Sequence, residues 1–395
     1  MTQKQNFSTL DILSELVAFD TISSKSNLPL ITFIEEFLKN FGIKTQRFPN
    51  ADGNKAALLA TIGPQNQPGI ILSGHTDVVP VEGQCWSSQP FQLTLSEGKA
   101  YGRGAVDMKG FIASVLASVP YFISSQLKTP VHLLFSYDEE ISCLGCIDAI
   151  DWLVKNNPKP IAAIVGEPTM MQIVDAHKNV AEFETRIFGR EAHSALPQLG
   201  TSAIMAAGDL IAEIGKIADR LEKQKDKTGR FDPPYTTLHV ASIKGDSAAN
   251  ILARECRFIW EIRCLPDQKF EDILDEVKNI SKQIVEQKMN RFGSYGSIKT
   301  ETLYSIPGLA AERDSRACQL VAKILGQKTA NTVSYATEGG YFQIAGISTV
   351  ICGPGSIDQA HKPDEYISLE QLERCDIFMK KLAHELSGNS NGENG

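Results

Sequence analysis

Apolar residues recur at helical spacing from Leu10 to Val17 and again around Leu30–Leu38, and the runs AALLATI and GIILSG that follow read as short strands. The alternation continues with a helix from Met108 to Phe122, the strand VHLLFSY ending at Tyr137, a helix over Cys146–Val154 and the strand IAAIV ending at Val165. Helix and strand in alternation predict an α/β fold in which helices cover both faces of a mixed, largely parallel sheet. From about Val180 the order changes to strand VAEFETRIF, helix Ser202–Leu221, strands TLHVASI and FIWEIRC, helix Phe270–Gln287 and strand SIKTETL. That β-α-β-β-α-β succession predicts a ferredoxin-like α+β unit. Within it, KQKDKTGRFDPPY collects charge, Gly and Pro and reads as a surface loop. After Ile306-Pro307-Gly308 the first pattern resumes with a helix near Ser315–Ile324, the strand STVIC and a closing helix around Leu369–Leu386, and the polar tail SGNSNGENG is expected to be disordered.

Composition adds boundaries to this picture. A chain of 395 residues exceeds the ~250–300 residues at which one hydrophobic core stops growing, so more than one structural unit is expected. Hydrophobic residues at 42% and charged residues at 22% are ordinary for a folded globular protein. Lys plus Arg number 39 against 47 Asp plus Glu, and the net charge of −8 offers no footprint for nucleic acid, leaving a small-molecule partner. No apolar stretch follows a basic start in MTQKQNFSTL, and no uninterrupted apolar run approaches the ~18–20 residues that span a bilayer, so no membrane partner and a cytoplasmic location are expected. The eight cysteines are irregularly spaced and read as thiols. Cys143-Leu144-Gly145-Cys146 has the spacing of a redox pair, which keeps a thiol oxidoreductase as a rival reading, but it follows a carboxylate cluster instead of a thioredoxin-like strand and helix.

The familiar short signatures are missing: no His-Glu-x-x-His, no phosphate-binding Gly-x-x-x-x-Gly-Lys-Ser/Thr, no Gly-x-Gly-x-x-Gly after a strand. A Gly-x-Ser-x-Gly string at Gly388–Gly392 lies in the polar tail, where no strand-turn-helix presents its serine. Polar residues gather instead where apolar strands end. GIILSG runs into His75-Thr76-Asp77, VHLLFSY into Asp138-Glu139-Glu140, and IAAIV into Gly166-Glu167-Pro168-Thr169, while Asp107 stands just before a helix. In an open α/β sheet ligands bind outside the carboxyl ends of the strands, so these residues can share one site. An imidazole with several carboxylates suits a divalent metal, and zinc fits a mixed nitrogen and oxygen set with hydrolytic work to do. Taken singly, each also fits a helix cap or turn, and three adjacent acids can be neutralised by solvent as well as by a cation.

At this point the motifs carry a resemblance. SGHTDVVP at Ser73–Pro80, GRGAVDMKG at Gly102–Gly110, DEE at Asp138–Glu140, GEPT at Gly166–Thr169, AHSALP at Ala192–Pro197 and GPGSIDQAHKPDEY at Gly353–Tyr366 resemble the M20 zinc-dependent deacylases and peptidases over nearly the whole chain. The resemblance implies two zinc ions, replaceable by cobalt: His75 and Glu167 on one, Glu140 and His361 on the other, and Asp107 between them. It implies Glu139 as general acid and base, Asp77 as the carboxylate that orients His75, and His193 as a group reaching into a partner subunit's site to support the oxyanion. Asn250 and Arg263 take family-like positions for substrate binding, although Arg263 also reads as a surface strand arginine. Glu338 would meet a cationic substrate side chain or, equally, sit as a helix N-terminal carboxylate. The implied plan is a catalytic domain of 1–179 and 306–395 with an inserted dimerisation or lid domain of 180–305, working as a homodimer. The strings at 336–340 and 353–366 look most like members that take the acetyl group from N2-acetyl-L-ornithine in arginine biosynthesis. Succinyl-diaminopimelate desuccinylase and general N-acyl-amino-acid amidohydrolase are the rivals within the family, and a metal-binding scaffold without catalysis is the rival outside it.

Overall fold

A computed structural model describes residues 7–388 apart from 246, 292 and 294. Residues 389–395, which hold most of the polar tail and the serine of the Gly388–Gly392 string, lie outside the described residues. The chain divides into two compact units: Met1–Asp175 with Ala311–Asn331 and Thr337–Gly395, and Ala176–Ala310 with Thr332–Ala336.

In the first unit, six strands of the main sheet lie side by side in the order Thr45–Pro49, Ala56–Ile62, Val131–Ser136, Ile70–His75, Ala162–Pro168, Thr349–Gly353. The last four pair in parallel, and the first two add antiparallel pairs. Every residue of Ile70–His75, Val131–Ser136 and Ala162–Pro168 is buried, which explains why these strands read as continuous apolar runs. Their register puts His75 opposite Ser136, Ser73 opposite Val165 and Gly353 opposite Pro168. Residues that close these strands therefore emerge along one edge of the sheet.

Helices cover the sheet. Thr9–Ala18 opens with a reciprocal cap, Ser8 Oγ accepting from Asp11 N–H at 3.2 Å while Ser8 N–H donates to Asp11 Oδ2 at 3.0 Å. It buries Ile12, Leu13, Leu16 and Val17, residues at helical spacing. The single helix expected from Met108 to Phe122 is broken. Ala105–Lys109 is a wide turn in which Asp107 (φ −124°, ψ 92°) and Met108 (φ −132°, ψ 36°) leave helical geometry. Gly110–Ala117 is helical, and Val119–Ser124 starts afresh with Pro120 in its first turn, where a missing N–H leaves no bond unmade. By length and composition Ala105–Ser124 is apolar enough to cross a bilayer, but 78% of that window is buried inside the protein, so core packing accounts for its character. Three short strands, Thr94–Ser96, Lys99–Tyr101 and Tyr366–Ser368, form a small antiparallel sheet that the hydrophobic pattern does not reveal.

The second unit has strand Asn179–Phe188, helix Ala203–Glu222, strands Thr237–Gly245 and Glu255–Cys264, helix Phe270–Ile284 and strand Ser297–Ile306. Its antiparallel sheet runs Thr237–Gly245, Glu255–Cys264, Asn179–Phe188, Ser297–Ile306, so the first and third strands of the succession pair at the centre. Phe183 stacks on Trp260 with ring centroids 4.4 Å apart, beneath Leu210, Ile214 and Val277 from the two helices.

Candidate metal centre

Strand geometry delivers most of the site. His75 closes its strand and is 1% exposed. The strand Ala162–Pro168 runs on past Val165, so Glu167 lies inside it and is buried. Beyond Val131–Ser136 the chain turns at Asp138, whose φ of 57° is anchored by an ion pair with Lys55, and this turn delivers Glu139 and Glu140. Asp107 comes from the wide turn before Gly110, and His361 from a loop where its own φ is 63°.

These residues converge. Asp107 Oδ1 lies 3.1 Å from His75 Nε2 and Asp107 Oδ2 lies 3.3 Å from His361 Nε2. Glu140 Oε2 is 3.0 Å from His361 Nε2, and Glu167 Oε1 is 3.7 Å from His75 Nε2. One donor atom from each of His75, Glu139 and Glu167, and likewise from each of His75, Asp107 and Glu140, falls within 4.8 Å of the others in its set. His75 Nδ1 is 2.9 Å from the Asp77 carbonyl oxygen. A carbonyl only accepts, so in the neutral ring Nδ1 carries the hydrogen and the Nε2 lone pair faces Asp107. Burial opposes charge on this ring, yet Asp107 and Asp77 lift its pKa well above the ordinary imidazole value, so in the metal-free protein a proton bridges Nε2 and Asp107 at the place a metal cation would take.

Electrostatics point the same way. Burial, with Asp107 adding, pushes the Glu140 carboxyl up to about 7. Burial also raises Glu139 and Glu167 well above the ordinary carboxylate range, Glu167 acting on the first and Asp107 on the second. Burial opposes charge on Asp107 too, yet the imidazoles of His361 and His75 hold it low, while Asp107 and Glu140 raise His361 to about 10. Glu140 Oε1 and Glu167 Oε1 are buried without a hydrogen-bond partner, an arrangement that is costly for a carboxylate unless a cation satisfies it. Two imidazoles and several carboxylates, with orphaned oxygens turned among them, fit a pair of divalent metal ions.

Asp77 braces this cluster. Its carboxylate accepts from Glu139 N–H at 3.1 Å, Glu140 N–H at 3.3 Å and the Ser23 hydroxyl at 2.7 Å, and its Oδ1 lies 3.5 Å from His75 Nδ1. Ser23 carries no motif that would have revealed it. Glu338 is 1% exposed and accepts from Ser73 Oγ at 3.2 Å, and burial lifts its carboxyl to about 7. The thiol of Cys143 donates to Glu139 Oε1 at 3.3 Å. Burial, followed by Glu139, pushes that thiol well above its usual range, and burial does the same at Cys146 with Glu338 next. Neither thiol is set up as the reactive thiolate of a redox pair.

His193, Asn250 and Arg263 belong to the second unit. His193 and Asn250 are both exposed and come together there: His193 bridges Ile251, and Ser194 N–H donates to the Asn250 carbonyl at 2.9 Å. Arg263 lies on strand Glu255–Cys264 with its fork on Glu261, Nε to Oε1 at 2.7 Å and Nη2 to Oε2 at 3.0 Å.

Residues 71–385 match Peptidase family M20/M25/M40. The chain is 34% identical over 383 residues to acetylornithine deacetylase of Pasteurella multocida (strain Pm70), covering 95% of this chain and 97% of that protein. It is 35% identical over 384 residues to acetylornithine deacetylase of Shigella sonnei (strain Ss046), covering 95% and 97%. Among solved structures, aminopeptidase PepT of Bacillus cereus superposes with a TM-score of 0.75 at 18% identity, covering 97% of this chain and 99% of that one. A dinuclear metal binding peptidase of Bacillus subtilis from the M20 family superposes with a TM-score of 0.69 at 16% identity, covering 96% and 98%. At such identities the structures speak for the fold alone. The family match and the two relatives each extend over most of the sequence, and the chain therefore belongs to Peptidase family M20/M25/M40, a family of metal-dependent hydrolases.

Proposed function

We propose that this protein hydrolyses the amide of N2-acetyl-L-ornithine to L-ornithine and acetate, as a step of arginine biosynthesis in the cytoplasm. The observation that carries the hydrolytic reading is the position of Asp107, with one carboxylate oxygen toward each of two imidazoles at 3.1 and 3.3 Å. The choice of substrate is supported by relatives 34–35% identical named acetylornithine deacetylase.

In this reading His75 and Glu167 would hold one metal ion and Glu140 and His361 the other, with Asp107 available to both. Zinc is the expected metal and cobalt its substitute; such an ion lowers the pKa of water toward ~7 and polarises the amide carbonyl. The residues of the chain do the remaining work. Glu139, its pKa raised by burial beside Glu167, accepts the proton of the attacking water and returns it to the departing amine, which otherwise leaves very poorly. Asp77 keeps the His75 ring and the backbone of Glu139 and Glu140 in place. His193, supplied by a partner in a homodimer, donates to the developing oxyanion. Asn250 and Arg263 bind the substrate, the planar fork of Arg263 exchanging Glu261 for its α-carboxylate. The second unit serves as the dimerisation and lid domain.

The test is a substrate panel with and without a chelator. Turnover of N2-acetyl-L-ornithine above N-succinyl-diaminopimelate and N-acetylmethionine, abolished by chelation and restored by Zn²⁺ or Co²⁺, is the expected result. Preference for either other substrate overturns the substrate assignment. A protein that binds zinc and hydrolyses none of the three overturns the enzyme reading in favour of a scaffold, and activity that survives chelators but not alkylation favours thiol chemistry.

A further inference from the structure

Arg103 and Glu365 are each 1% exposed and pair with Nη1 and Oε2 2.7 Å apart. A buried ion pair is seldom worth more to stability than apolar side chains of the same volume, so what else the two groups hold is informative. Glu365 turns its other oxygen, Oε1, to the backbone N–H groups of Val106 at 2.9 Å and Asp107 at 3.2 Å. Arg103 Nη2 donates to Gln84 Oε1 at 2.6 Å, and Gln84 Nε2 in turn donates to the backbone carbonyl of His361 at 3.0 Å. Trp86 Nε1 also donates to Gln84 Oε1 at 3.1 Å, and the Trp86 ring covers the guanidinium with its centroid 5.0 Å away. With two donors on its oxygen, the Gln84 amide has one orientation, and its NH₂ group must face His361.

Both ends of this chain of contacts grip backbone and leave the side chains of Asp107 and His361 free to face the centre. The two metal positions differ in how much they need such support. His75 and Glu167 stand in fully buried strands. The His361 side chain is 53% exposed, on a residue with φ of 63°, a conformation non-glycine residues rarely adopt. Little packing is available to fix it, so its placement depends on how its backbone is held. The nearby loop is tied down too, Asp364 accepting from Ser87 N–H at 2.7 Å and Ser87 Oγ at 2.8 Å.

We propose that Glu365, Arg103 and Gln84 are positioning residues that set the distance between Asp107 and His361, and thereby govern occupancy of the metal position these two share with Glu140 rather than the one at His75 and Glu167. This inference rests on the metal reading above. Groups that orient metal ligands typically account for ~10–100-fold in affinity.

Metal-free full-length protein, titrated with Co²⁺ and followed by calorimetry and by visible absorption, separates the two binding steps. Gln84 is half-buried whereas Glu365 is 1% exposed, so Gln84→Met and Gln84→Glu test the inference where Glu365→Gln could fail to fold. In both variants one Co²⁺ step is expected to weaken ~10–100-fold with an altered absorption band, while the other keeps its wild-type affinity. An added negative charge by itself strengthens cation binding, so a weaker step in Gln84→Glu reports the lost donor to His361. Two wild-type steps in both variants, or equal weakening of both steps, overturn the inference and leave the metal reading standing. A wild-type protein that takes up no Co²⁺ overturns both.

Discussion

Replacing Asp77 with Asn changes one oxygen into an NH₂ group and nothing in shape. Asp77 is 2% exposed, and both of its oxygens accept: Oδ1 from Glu139 N–H at 3.1 Å, Oδ2 from Glu140 N–H at 3.3 Å and from Ser23 Oγ at 2.7 Å. Either orientation of the asparagine amide therefore turns N–H against a backbone N–H, and no flip relieves it. A hydrogen bond to a charged group contributes ~1.5–3 kcal/mol and an unpaired buried donor costs ~1–3 kcal/mol; the two descriptions overlap, so a loss of about 2–4 kcal/mol is expected in metal-free protein. The same donors fix the turn that carries Glu139 and Glu140, so zinc affinity is expected to fall a further ~10–100-fold, equivalent to about 1.4–2.8 kcal/mol. Urea denaturation in the presence of chelator measures the first quantity, and competition with a chromophoric chelator measures the second. Because the metal binds the folded state, a denaturation series at fixed free Zn²⁺ contains both losses. An Asn variant with the wild-type urea midpoint and wild-type zinc affinity would refute the reasoning, since Asp77 would then brace nothing.

Glu139→Gln keeps a hydrogen-bonding side chain but cannot take a proton, and is expected to lower kcat by ~10²–10⁴ with zinc content unchanged; full turnover removes Glu139 from the mechanism. Glu338 is raised from 4.5 to about 7 by burial, so the folded state retains a proton that the unfolded chain releases, and metal-free stability falls as pH rises from ~4.5 through about 7 and then levels. At ~1.4 kcal/mol per pKa unit the effect approaches about 3 kcal/mol, so Glu338→Gln flattens the decline, and parallel wild-type and variant curves from pH 5 to 8 would rule this out. At Gly166 an added methyl group meets the Phe111 ring at 2.1 Å. Gly166→Ala is therefore expected to cost ~1–3 kcal/mol or more by overpacking beside Glu167, and with Phe111→Ala in the same chain the losses should fall short of their sum; strict additivity would show that the ring moves aside freely.

Local pattern makes much of this molecule readable in its sequence. Buried parallel strands advertise themselves as apolar runs, and their carboxyl ends were visible as abrupt changes to His75, to Asp138-Glu139-Glu140 and to the GEPT string. The β-α-β-β-α-β succession of the second unit is a matter of order along the chain, and it is found between Asn179 and Ile306. The places where the pattern misled were those where short-range signals cancel. Ala105–Ser124 is apolar throughout its helical part, so the turn at Asp107 and the restart at Pro120 did not interrupt the periodicity. Strands of three residues, such as Tyr366–Ser368, are too short to show alternation at all. His361 followed no apolar run, and only the resemblance of its surrounding string pointed to it.

The sequence by itself thus determined which segments are buried, which alternate, and which polar residues stand at the ends of strands, because burial is written into residue type at short range. Only the tertiary structure decided that the two oxygens of Asp107 divide between His75 and His361, that Asp77 supports three donors at once, and that Glu365 reaches Arg103 across 262 positions. Distances of that kind are set by strand register and by the packing of segments far apart in the chain, and no local regularity of hydrophobic and polar residues encodes them.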